Sequence, residues 1–218
     1  MISDAAIGRK LTTPRSAALA GIVFSVLLSS ALLLIRLSVP HDLGGSDPWL
    51  LDPTRRRLVG LAVNMIPFAG IAFLWFIGVI RDRVGEHEDR FFATVLFGSG
   101  LLFVAMLFAS GAIAASLRLE AATAGTTLAS SDTWRLDARI TQVLLNVYAL
   151  RMAAVFMISV ATISLRTGVV SRWLAIAGYG CAAILLVTIG VTPWVQLLFP
   201  AWIFVLSVHI LVRPGSAA

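Results

Sequence analysis

One cysteine and one lysine occur in 218 residues, and charge of either sign is scarce. Cys181 sits in an apolar run, so an internal disulfide, CxxC redox chemistry and a cysteine-built zinc site are excluded. Lys10 precedes the first apolar run, which excludes a retinal-type Schiff base at membrane depth. Aspartate and glutamate total 11, and none falls inside an apolar run. Intramembrane proteolysis by paired aspartates is therefore excluded. Bis-histidine haem ligation needs paired membrane histidines, and of the three histidines only His209 lies in an apolar run. The chain also lacks GxxxxGK[ST], HExxH and GxSxG.

What the chain has is apolar length. Hydrophobic residues make up 59% of it, charged residues 13%, and mean hydropathy is +0.93. A soluble domain carries about 25% charged residues, so this surface cannot mostly face water. The net charge of +6 comes from having few acids, and the basic residues flank apolar runs instead of forming a stripe. That pattern sets membrane orientation and argues against a nucleic-acid partner.

Six spans are expected, at about 16–39, 58–80, 91–116, 140–165, 173–190 and 194–212, lengths that suit a hydrocarbon core of roughly 30 Å. The fold class is an all-α membrane protein, one six-transmembrane-helix bundle over 1–218. The first run follows Arg9, Lys10 and Arg15 and exceeds the apolar region of a signal peptide, so a retained anchor is expected. His41–Arg57 reads as a turn-rich loop ending in Asp52–Pro53, an N-cap with proline at the first helical position. Pro67 removes an N–H from the second span and predicts a kink. Arg81–Arg90 is a tight charged turn, Leu117–Asp137 a loop dominated by Ala, Ser and Thr, and Val191–Thr192–Pro193 a hairpin.

Orientation follows the basic flanks. With the N-terminus inside, nine Lys and Arg residues are cytoplasmic (Arg9, Lys10, Arg15, Arg81, Arg83, Arg90, Arg166, Arg172, Arg213) and seven lie outside (Arg36, Arg55, Arg56, Arg57, Arg118, Arg135, Arg139). Both termini are therefore expected in the cytoplasm, in a bacterial cytoplasmic membrane.

Arg151 is the charge inside the fourth span, and an ionisable residue at that depth is a functional-site hypothesis by default. Counted back from the arginines that close the even-numbered spans, Pro67, Pro200 and Arg151 all lie roughly 20 Å above the inner boundary, at 1.5 Å per residue. Asn64, Asn146 and Gln196 lie a little further out. Helices two, four and six could line an outward-facing pocket for an anionic or lipid-like ligand, with Arg151 as its cation. The competing reading is that Arg151, about five residues from the outer boundary, snorkels to the head groups. Arg139, Gln142 and Asn146 share a helix face, but Arg151 is about 140° round from Asn146, and Tyr148 is its nearer neighbour. Asn64 and Asn146 equally suit inter-helix hydrogen bonds.

Other features have plain readings. Ala105, Ala109, Ala112 and Ser116 follow helical spacing and make a face that another helix could approach closely, as do Gly178 and Ala182. Gly178–Tyr179–Gly180 has the composition of a potassium-filter tripeptide but lies inside a continuous apolar run. Glu86–His87–Glu88–Asp89 could offer metal ligands, yet consecutive residues seldom converge and nearby arginines compete, so no metal and no cofactor is expected.

The run IAFLWFIGVIRDRVGEHEDRFFATVLFGSGLLFVAMLF (71–108) and the tail RWLAIAGYGCAAILLV…LLFPAWIFVLSVHILV resemble uncharacterised multi-pass membrane proteins of actinobacteria. The resemblance implies a membrane location and a six-helix shape, and it carries over no functional residue. Two functions follow: a non-enzymatic protein that packs against itself or a larger complex, or a small transporter or binding protein built around Arg151. An enzyme acting on lipid or isoprenoid lacks an acid or nucleophile at membrane depth.

Overall fold

Lipid offers the backbone no hydrogen-bond partner, so apolar runs of this length satisfy themselves as helices. The computed structural model describes residues 13–38, 52–84, 90–124, 132–168, 170–188 and 193–212. In chain order these form α1 (Thr13–Ser38), α2 (Pro53–Val84), α3 (Arg90–Ala124) and α4 (Asp132–Val143). A π-helical segment (Leu144–Ala149) joins α4 to α5 (Leu150–Thr167). After α6 (Arg172–Val187), a 3-10 segment (Pro193–Leu197) leads into α7 (Leu198–Val212). The chain is an all-helical bundle. Five of its apolar stretches are long enough to cross a membrane, with the 16-residue α6 as a shorter sixth.

The helix ends have local causes. Asp52 accepts the Thr54 N–H at 2.8 Å and opens α2 with Pro53 at the first position, as its sequence signature predicts. α2 then continues as one helix through Pro67, whose ring lies on the exposed face. Gly168 closes α5 at φ 69°, a left-handed cap suited to glycine, and α6 begins four residues later.

The expected loop at Leu117–Asp137 is corrected: α3 runs on to Ala124, and α4 already begins at Asp132. Ala, Leu and Glu dominate the extension, and these are strong helix formers, with no glycine or proline before Gly125. Trp134 anchors the amphipathic α4 in a small apolar cluster with Val59, Val63 and Leu117. The Glu86–Asp89 cluster, His41 and the Val191–Thr192 turn lie outside the described residues.

Lipid tails are as apolar as leucine, so helices hold together by close packing more than by escape from water. Phe73 of α2 supplies the centre. Its ring lies 4.5 Å from Phe24 (α1), 5.2 Å from both Phe103 (α3) and Phe156 (α5), and 5.5 Å from Phe199 (α7). Most of these pairs are tilted or edge-to-face, the arrangement the aromatic quadrupole favours. The rings fill the middle of the bundle.

Two polar contacts tie the later helices. The Thr162 hydroxyl (α5) and the Tyr179 hydroxyl (α6) are 2.7 Å apart, and the Trp202 indole N–H (α7) donates to the Leu174 carbonyl (α6) at 3.3 Å. Gly178 makes the second contact possible, because a β-carbon there would stand 2.9 Å from Cζ2 of that indole.

Phe73→Ala is expected to destabilise the bundle by about 2 kcal/mol, from ~24 cal/mol per Å3 over the roughly 100 Å3 removed. Gly178→Leu should break the α6–α7 contact. Both are read from reversible unfolding in mixed micelles, with an exposed-site control such as Leu61→Ala remaining near wild type.

Candidate functional site

The two irregular segments lie on different spans and are tied by one polar bridge. Asn146, within the π segment, accepts a hydrogen bond on Oδ1 from Gln196 Nε2, within the 3-10 segment. Each amide thereby gains a partner that lipid would not supply. Gln196 precedes α7 by two residues, and Pro200 falls in the first turn of α7. A missing N–H matters least in a first turn.

Arg151 is the second residue of α5, two positions after the π segment ends. Its Nη1 donates to the Val147 carbonyl at 2.9 Å, so the side chain folds back along its own helix. The π winding also changes the angular argument. A π turn takes roughly one residue more than an α turn, so the five-residue step from Asn146 to Arg151 comes closer to a full turn. The separation expected for an ideal α-helix therefore narrows, while the hydrogen bond that the guanidinium makes is to its own helix. Sequence periodicity misses this because it assumes one winding throughout.

Of the six residues proposed for the pocket, the structure joins Asn146 and Gln196. Arg151 is half-buried against its own backbone. Gln142 and Asn64 are exposed on the bundle surface, and Tyr148 is 55% exposed. The helix-packing residues also divide. Gly178 and Ala182 are buried, Gly178 against Trp202, whereas Ala105, Ala112 and Ser116 face outward and Ala109 is half-buried. Among the described residues no group of three or more His, Cys, Asp or Glu side chains could hold a metal ion.

Comparison with known proteins finds no matching family, no similar curated protein and no similar solved structure.

The bridge generates a test. In a double-mutant cycle, Asn146→Leu and Gln196→Leu should couple by about 0.6–1.7 kcal/mol, the range for hydrogen bonds between membrane helices. Unfolding free energies in micelles measure the coupling, and strictly additive effects would mean the bridge does not form.

Proposed function

We propose that the chain is a non-enzymatic membrane protein that works by packing its helices against a second copy or a larger membrane complex. The observation carrying this reading is the outward face of α3. Ala105, Ala112 and Ser116 are exposed there, and a β-carbon at Gly98 would meet open space. The surface left between them is flat, and small residues let two backbones approach closely. Thr94, Gly98, Leu101, Ala105, Ala109, Ala112 and Ser116 follow steps of four or three residues, the seam spacing of packed helices. The aromatic core and the Asn146–Gln196 bridge lie within the bundle, and this face of α3 stays open for a partner helix.

The setting belongs to the same reading: a bacterial cytoplasmic membrane, both termini inside, and kinship with the actinobacterial multi-pass proteins. The nine-to-seven distribution of basic residues supports the orientation.

A second reading has its own support. π-bulges occur frequently at functional sites, and here one contains Asn146 and ends two residues before Arg151. A small transporter or binding protein would open the bridge to admit an anionic or lipid-like ligand to Arg151.

Ala109→Leu and Ala105→Leu are expected to shift the protein to smaller species on blue-native gels and to reduce crosslinking through Cys181. Unchanged sizing of both variants would count against assembly through α3. For the second reading, Arg151→Gln, made in an Arg118→Gln background, should abolish the thermal stabilisation that remains with an anionic lipid-like compound, while leaving assembly intact.

A further inference from the structure

A different arginine carries a separate inference. Arg118, near the end of α3, lies across α2 at Gly60, so close that a β-carbon on residue 60 would collide with Nη1. Its Nε is buried and has no hydrogen-bond partner. Among the described residues the other buried atoms in that condition are serine hydroxyls. A buried N–H of a cation without an acceptor is far more costly than a lone hydroxyl.

The surroundings add positive charge and withhold negative charge. Arg56 lies one helical turn before Gly60 on α2, on the same face as the Arg118 contact. Asp52, one turn earlier, is held 3.4 Å from Arg55 and also caps the α2 N-terminus. Glu120 stands two residues after Arg118, about 200° round the helix. Arg118 thus has a basic residue, Arg56, on the facing side of α2, while Asp52 is engaged with Arg55 and the α2 N-terminus.

Arg118 as a whole is only half-buried, and depth and the adjoining surface indicate what its accessible part meets. Gly60 lies 21 residues before Arg81. At 1.5 Å per residue that is roughly one hydrocarbon thickness, which puts Arg118 at head-group level. One turn deeper is Asn64, an exposed amide where lipid esters begin. Below it the same face of α2 continues as Phe68 and Ile71, 65% and 49% exposed. Cation, amide donor and apolar track follow in the order phosphate, glycerol ester, acyl chain.

We infer that Arg118, Arg56 and Asn64 form a binding site for one anionic phospholipid. The phosphate accepts from the guanidinium groups, an ester carbonyl accepts from the Asn64 amide, and an acyl chain lies along Phe68 and Ile71. Gly60 is the residue that lets the guanidinium lie against the helix. The site is independent of assembly through α3 and of the Arg151 reading.

The test uses the full chain in nanodiscs of phosphatidylcholine, with and without phosphatidylglycerol, and a separate arm with inorganic phosphate. Phosphatidylglycerol should raise the melting temperature of wild type and remain bound in native mass spectrometry, whereas inorganic phosphate should do neither. Arg118→Gln should weaken apparent phosphatidylglycerol affinity roughly tenfold, the loss of about one charge-assisted hydrogen bond. Asn64→Leu, an exposed change compatible with folding, should weaken it less, and Arg139→Gln should leave it unchanged. Equal phosphatidylglycerol affinity in wild type, Arg118→Gln and Asn64→Leu would overturn the proposal. So would a full effect of inorganic phosphate, which would assign the site to a free anion.

Discussion

One constraint shapes most of this bundle: polar groups at membrane depth find partners inside the protein, Arg118 Nε and the hydroxyls of Ser38, Ser171 and Ser207 excepted. Short hydroxyl side chains do so by turning back onto their own helices. Ser25 donates to the Gly21 carbonyl at 2.8 Å, Ser99 to Val95 at 2.7 Å, and Ser159 to Val155 at 2.9 Å. Arg151 obeys the same rule with a longer arm. The Asn146–Gln196 bridge is the inter-helix version, formed where two helices depart from regular winding. The bridge joins the side chains of the two irregular segments, and Arg151 caps the Val147 carbonyl from within its own helix.

The second organising feature is shape. With little hydrophobic drive between helices in lipid, adhesion depends on how closely surfaces fit. The chain uses both extremes of side-chain size. Bulky rings around Phe73 fill the centre, and at Gly178 a missing side chain lets Trp202 reach a carbonyl. At the end of α5 the Arg166 guanidinium sits 4.6 Å over the Phe92 ring of α3, so a flanking charge also helps to pack.

The spans were legible because hydropathy and helix length measure the same lipid thickness, and the Asp52–Pro53 cap because its chemistry is local. Two kinds of feature were not. The helical extension to Ala124 reads as loop when Ala, Ser and Thr are taken for polarity and not for helix propensity. The change of winding between Leu144 and Ala149, just before Arg151, is something that no periodic pattern encodes. Depth counting did put Asn146 and Gln196 near one another. It could not separate Asn64 from them, because depth gives height and says nothing of which way a residue faces. Arg118 escaped notice for a related reason: it was counted as a loop charge, and only the packing of α3 on Gly60 shows it pressed against a helix.

The brevity of α6 has a consequence for the surrounding lipid. At 16 residues it rises about 24 Å, short of a typical core of roughly 30 Å. Trp173 near its start is 60% exposed and Val187 at its end 80% exposed, so both ends meet the bilayer directly. Mismatch of this kind is relieved by local thinning, at fractions of a kcal/mol per Å. A bilayer of ordinary thickness would have to thin beside α6, which would favour thin or deformable regions of bilayer.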